Sequence, residues 1–346
     1  MRLHRITLVI ATLAVVTVGI AASATTATTN KSTAVPGLGN PTSALCPAGK
    51  QYTIGFDNWS DVQPYAVGLR KSLEQAAKKV GCVKIITRVD NVDPATALAN
   101  VQSFIRQNVD AVMLFQILQA AMPGIMRAVD KAGIPAVATI TPAPGATFVS
   151  LDPAAAGALD GEALAAALAK KNPGAKPWIL LGNDEGAGDY SKSLLGGIVK
   201  AIQAKFPGIP SNRIITVETK SKPDVAFRAA KDVVAKFPSG APILLSGVND
   251  EIVGSMFRVL KQAGHAKDTL VMGIGGLYPI GVRNVCVNPE YVGTVDFLPE
   301  KQGDYFLPVL LARIKGMAVP KSISTPIAVL DKAAAAKKYP NLAACK

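Results

Sequence analysis

The 346-residue chain carries 37 Lys and Arg against 24 Asp and Glu, a formal charge of +13, with 49% hydrophobic and 5% aromatic residues. That apolar content excludes a disordered chain, and the length exceeds one ordinary domain of about 100–200 residues, so two are expected. A nucleic-acid surface is excluded as well: the lysines scatter over predicted helix faces and gather at the tail, as Lys332, Lys337, Lys338 and Lys346, with no aromatics interleaved in a basic run.

In chain order, Arg2 and Arg5 precede an uncharged apolar run over 6–22 that ends in Ala22-Ser23-Ala24. This pattern predicts a secretory signal peptide over 1–24, cleaved on export to a periplasmic or extracellular location. The alternative is a retained anchor, roughly 17 apolar residues being the low edge of a bilayer span. No Cys follows in a lipobox-like setting, and 25–49 reads as an N-terminal extension. Four cysteines in an exported chain favour two disulfides, and metal-ligand spacing is absent. Cys46 precedes the first predicted strand and Cys82 the second, which favours Cys46 with Cys82 and Cys286 with Cys345. Sequence alone leaves three pairings open, and reduced buried thiols are the alternative.

From residue 52 short apolar strands alternate with amphipathic helices, the pattern of parallel α/β sheets. Strands are predicted over 52–56, 83–89, 111–115, 136–140, 178–182, 214–218, 243–246 and 270–274. In the first helix Tyr65, Leu69, Leu73, Ala76 and Val80 recur every three or four residues, one face for a sheet, leaving Lys71, Glu74, Lys78 and Lys79 largely to water. Pro94 and Pro223 open helices where a missing amide hydrogen is harmless. The helical stretches over 126–133 and 257–264 echo each other, each stopped by Gly, as two similar lobes would require.

Open parallel sheets bind ligands beyond the carboxyl ends of their strands, so two facing sheets make one cleft. At those ends stand Asp57, Asn58 and Trp59 with Tyr65 opening the helix, then Gln116, then 139–144 beginning with Thr139. The other half offers Asn183, Asp184 and Glu185 with Asp189, Tyr190 and Ser191, then Asn249, Asp250 and Glu251, then 275–278 beginning with Gly275. Aromatic faces stack on apolar C–H faces, while carboxylates and amides satisfy hydroxyls that would be costly to bury unpaired. The plainer alternative is that these side chains cap helices, a role open to Asp184 and Asp250.

The segments 94–102 (PATALANVQ), 132–137 (AGIPAV), 248–251 (VNDE) and 294–299 (TVDFLP), in that order and spacing, resemble the periplasmic sugar-binding proteins of the ribose, galactose and xylose type that serve ABC transporters. The resemblance covers nearly the whole chain after the signal segment. It implies a type I periplasmic binding protein fold, two Rossmann-like α/β lobes with parallel sheets joined by a three-crossing hinge near 150–153, 296–299 and 322–325. The lobes would be 50–151 plus 298–323 and 152–297 plus 324–346. It also implies that Asn249 binds ligand hydroxyls and that Tyr65 stacks on the ligand ring. Departures accompany it: Thr139 stands near a position where the sugar binders place Asp, Gly275 replaces another Asp, Phe297 replaces a Gln, and the Arg of the other lobe falls near 191–193. Without those clamping groups a standard pentose or hexose is disfavoured, and Asp57, Asp184, Asp189 and Asp296 either compensate for them or favour a polyol, a modified sugar or an amine-bearing ligand.

The candidate ligand-binding set is therefore Asp57, Asn58, Trp59, Tyr65, Gln116, Thr139, Asp184, Asp189, Tyr190, Asn249, Gly275, Asp296 and Phe297, with no cofactor and no metal. The expected function is capture of a small polar molecule, a sugar, polyol or sugar derivative, by an exported monomer that hands it to an ABC permease and ATPase. Alternatives are a ligand-sensing receptor subunit for a kinase or chemoreceptor and, further off, a secreted glycoside-acting enzyme using acids such as Asp184 and Asp189. After the signal segment the only His is His265, expected exposed at a helix end, and the chain lacks a nucleophile elbow and a P-loop. Over 273–278, Tyr278 stands where a dinucleotide fingerprint needs Gly. Replacing Tyr65 or Asn249 by Ala is expected to weaken binding with little loss of folding.

Overall fold

Helix starts and stops are written locally. Pro occupies the first turn where an amide hydrogen would go unused, Asp or Asn side chains cap the free amides, and Gly supplies left-handed ends. The computed structural model describes residues 45–345; the signal segment and most of the N-terminal extension lie outside the described residues. The chain begins β1 (Tyr52–Asn58), α1 (Pro64–Val80), β2 (Val83–Val89), α2 (Pro94–Arg106), β3 (Ala111–Gln116), α3 (Met122–Ala132), β4 (Ala136–Ile140) and β5 (Thr147–Ser150). It continues α4 (Pro153–Lys171), β6 (Trp178–Asn183), α5 (Asp189–Lys205), β7 (Ile214–Glu218), α6 (Pro223–Val233), β8 (Ile243–Gly247), α7 (Asp250–Gln262), β9 (Thr269–Gly275), α8 (Ile280–Val287) and β10 (Tyr291–Asp296). It ends α9 (Gly303–Ile314), β11 (Ser322–Ser324), β12 (Ala328–Leu330) and α10 (Lys332–Lys338).

Two six-stranded sheets result, ordered β11-β5-β4-β3-β1-β2 and β12-β10-β9-β8-β6-β7. The first is parallel throughout, and in the second only β12 runs antiparallel, against β10. The chain passes between the sheets three times, from β5 to α4, from β10 to α9 and from β11 to β12, the type I periplasmic binding protein architecture. All eight expected strands form. The four not anticipated, β5, β10, β11 and β12, are sheet-completing strands next to the crossings, three of them only three or four residues long.

On α1, Tyr65, Leu69, Leu73 and Ala76 are buried as their spacing predicts, and Gly81 ends the helix at φ 81°. Both disulfides form in the favoured pairing, Cys46–Cys82 with Cα atoms 5.8 Å apart and Cys286–Cys345 at 4.8 Å. The parallel register Tyr52↔Val83 sets Cys82 beside the start of β1, and the segment leading into β1 brings Cys46 to it. One expectation is corrected: His265 is buried, because the turn after α7 packs its ring edge-on to Phe237 at 6.3 Å, and Phe237 itself meets Trp178.

Candidate binding cleft

The carboxyl ends of β1, β3 and β4 and those of β6, β8, β9 and β10 contribute to one cavity of about 280 Å³. The first lobe supplies Trp59, Gln63, Tyr65, Phe115, Ile117 and Ile140; the second supplies Asp184, Ala187, Tyr190, Ser221, Pro223, Val248, Asn249, Glu251, Ile274, Gly275, Leu277 and Phe297. The aromatic rings are locked by one another. Trp59 meets Phe115 edge-on at 6.0 Å, and Tyr65 is wedged between Phe115 at 5.6 Å and Phe297 at 5.7 Å. Burial raises the pKa of the Tyr65 and Tyr190 hydroxyls, so both stay neutral.

Several polar groups are fixed by backbone bonds. Gln63 Oε1 accepts from the Ala66 amide at 3.0 Å, capping α1, while its Nε2 donates to Glu251 Oε1 across the cleft at 3.4 Å. A second contact between the lobes places Gln119 Oε1 against Gly188, where a Cβ would lie only 2.4 Å away. Asn249 Oδ1 accepts from the Ile252 amide at 2.9 Å and caps α7, which leaves its Nδ2 as the donor it offers. Asp184 accepts from the Gly186 amide at 2.9 Å and from Ser221 Oγ at 2.6 Å. Two buried atoms of the lining, Trp59 Nε1 and Glu251 Oε2, have no hydrogen-bond partner among the described residues.

Of the candidates named from sequence, Trp59, Tyr65, Asp184, Tyr190, Asn249, Gly275 and Phe297 line this cavity. Asp57, Asn58, Gln116, Thr139, Asp189 and Asp296 lie outside the lining. Asp57 is buried beneath it, accepting from Asn100 Nδ2 and from Gln116 Nε2, each at 2.8 Å, and Gln116 Nε2 also meets Asp90. Asn58 donates to the Ser60 carbonyl at 2.8 Å, Thr139 is buried in β4, and Asp189 is exposed in the first turn of α5. Asp296 is held at the second crossing by the Leu298 amide and by Lys338 Nζ at 2.5 Å, and Lys338 also reaches Glu300 at 2.7 Å.

Sequence reasoning placed Ile140 and Glu251 at the strand ends but left both out of the candidate set, and it missed Gln63, Phe115 and Ser221 as lining residues. Phe115 and Ile140 are immediate neighbours of Gln116 and Thr139, and side chains alternate along a strand, so choosing the polar member of each pair chose the other face. Glu251 had a signal, its place beside Asn249 at the start of α7.

The buried acids make stability depend on pH. Burial pushes Asp250 up to about 8 against the bonds it accepts from the Leu277 amide and Thr294 Oγ1, and Asp57, first by burial, is likewise raised beside Asp90. Between about 4 and about 8 the folded chain keeps protons that the unfolded chain has released, so stability present at low pH is lost as pH rises through that window. Urea unfolding is expected to show stability falling between pH 5 and 8 by on the order of 1 kcal/mol per unit for each such carboxyl. Asp57→Asn, whose amide can donate to Asp90 as the protonated acid does, should flatten part of the slope. An identical slope in that variant would remove Asp57 from the account.

Residues 54–318 match the family described as the periplasmic binding protein domain. The chain is 28% identical over 289 residues to the ribose import binding protein of Bacillus subtilis (strain 168), covering 80% of this chain and 87% of that protein. An ABC transporter periplasmic solute-binding protein from Actinobacillus succinogenes 130z with bound D-allose aligns with a TM-score of 0.70 at 22% identity, covering 83% of this chain and 100% of the other. An ABC transporter solute-binding protein from Bacillus halodurans C-125 with bound myo-inositol gives 0.70 at 18% identity, covering 84% and 98%. At those identities the structural likeness speaks for the fold.

Proposed function

The chain belongs to the periplasmic binding protein domain family, and from that premise we propose that it is an exported solute-binding protein that closes two lobes on a sugar, polyol or sugar derivative and delivers it to an ABC permease and ATPase. The lobes in this reading are 50–151 plus 298–323 and 152–297 plus 324–346, and 1–24 is the signal peptide that directs export. The observation that carries the proposal is a single cavity lined from both sheets, with the Gln63–Glu251 hydrogen bond running from one lobe to the other at its edge. A ligand that touches both walls binds the closed form better than the open one and shifts the population toward closure, and that difference is what a membrane partner can recognise.

Capture without turnover fits the lining. Ser221 is its one hydroxyl besides the two tyrosines, its partner is the carboxylate of Asp184, and no His, Cys or Lys lines the cavity to act as base or nucleophile. A monomer suffices, since both walls come from one chain. The relatives set the first ligands to try: ribose, D-allose and myo-inositol. In a thermal-shift screen of the mature chain over sugars, polyols, amino sugars and sugar acids, one chemical class should raise the melting temperature, by the equivalent of about 2.7 kcal/mol at a hundredfold excess over Kd. Hydrolysis of a glycoside by the purified chain, or no stabilisation by any class, would overturn the proposal.

A further inference from the structure

We propose that the ligand of this cleft carries a positively charged amine together with a hydroxyl or ether oxygen, so that the site takes amino sugars or amino polyols in preference to their neutral counterparts. The inference rests on the binding function proposed above and names the chemistry of the same site. Its first ground is the charge of the lining. Glu251 and Asp184 are its ionisable carboxyls, and among the described residues no Lys, Arg or His joins them. Lys220 and Lys222, which flank the lining residue Ser221 in sequence, are exposed outside it.

The second ground is what the carboxyls lack. Asp184 is satisfied by a backbone amide and by Ser221, whereas Glu251 has one oxygen on Gln63 at the long distance of 3.4 Å and the other buried without a partner among the described residues. A carboxylate oxygen held only by that long bond is weakly satisfied, and an ammonium group is the ligand group that offers it both charge and hydrogen bonds. Burial raises the pKa of Glu251, and a ligand ammonium beside it would favour the charged carboxylate again.

The third ground is the wall of rings. Trp59, Tyr65 and Tyr190 join Glu251 around a cavity of about 280 Å³, at the small end of the usual range of roughly 300–1,000 Å³. Aromatic faces beside a carboxylate attract a cation and also cover the apolar C–H face of a small ring. Asn249 Nδ2, left as a donor by the cap on the Ile252 amide, calls for an oxygen on the same ligand. One ammonium, one oxygen and an apolar face together describe an amino sugar or amino polyol.

Matched pairs test this by isothermal titration calorimetry on the mature chain: D-glucosamine with D-glucose, D-galactosamine with D-galactose, and an amino-deoxy inositol with myo-inositol. At least one amine is expected to bind tenfold or more tighter than its neutral partner, and Glu251→Gln should remove that preference. Neutral members binding as tightly as the amines in every pair would overturn the inference and leave the proposed function standing; so would an amine preference that survives in a folded Glu251→Gln chain. Binding of no member of any pair would overturn the inference, and the wider screen over ligand classes decides the proposed function. The comparison of pairs on the unsubstituted chain decides the matter even if the variant fails to fold.

Discussion

Gly157→Ala is expected to destabilise the second lobe by about 3 kcal/mol, although alanine is the better helix former by up to about 1 kcal/mol. The cause is the contact between α4 and α5. A Cβ at Gly157 would stand 2.0 Å from the Leu194 carbonyl oxygen, one at Gly161 2.4 Å from that of Ile198, and one at Gly197 2.4 Å from that of Ala154. Each helix presses its backbone into a gap that only hydrogen leaves open, so an added methyl must push the axes apart. Gly196, on α5 beside Gly197, is the control: nothing lies within 4 Å of its would-be Cβ, and Gly196→Ala should stabilise by up to about 1 kcal/mol. Denaturant melts of the two variants should move in opposite directions, and a Gly157→Ala chain as stable as its parent would mean that the helices do not approach this closely. The contact matters to the cleft as well, because α5 begins with Asp189 and Tyr190 and a displaced helix carries the Tyr190 ring with it.

The architecture was legible because the strands that build the two sheet centres are mostly apolar and punctuated. Ala111–Gln116 is buried along its whole length, and so is Ile243–Gly247, which is why a run of aliphatic residues between turn signals located each of them. Short strands at the crossings escaped. Ser322–Ser324 has one buried residue between two exposed ones, too brief a pattern to separate from loop. The site was half legible for a related reason. The rule that function gathers at carboxyl ends found the right turns, and Trp59, Asp184 and Asn249 with them, but it cannot say which of two adjacent side chains faces the cleft. Preferring polar residues there selected Asp57, Gln116 and Thr139, which are buried elsewhere, over Phe115 and Ile140, which line it. Gln63 was invisible because a helix cap needs no further role to explain it, and it plays both. The close approach at Gly157 carries no sequence signal apart from its spacing to Gly161.

Tyr65→Ala is expected to abolish ligand binding and, contrary to the expectation of little loss of folding, to cost about 3–5 kcal/mol of stability. The ring is 6% exposed and sits edge-on to Phe115 and Phe297, so it holds together residues from both lobes as well as facing the cavity. Truncation to Ala removes wall and support at once, and a lost affinity would then say little about stacking. Tyr65→Phe separates the two: the ring, its edge-to-face contacts and any stacking surface remain, and affinity should fall by less than about threefold, within the ~0.6 kcal/mol scale of thermal energy. Asn249→Ala is the complementary probe. It removes the cap on the Ile252 amide, a loss of about 1 kcal/mol, and with it the amide donor Nδ2 that the cleft can offer a hydroxyl. Calorimetric titration with whichever ligand stabilises the parent chain should show Asn249→Ala at least tenfold weaker while the chain remains folded. Tyr65→Phe binding as the parent does and Asn249→Ala binding much more weakly would divide the work of the site, apolar covering on one wall and hydroxyl recognition on the other. Equal affinity in all three would place the ligand in a different part of the molecule.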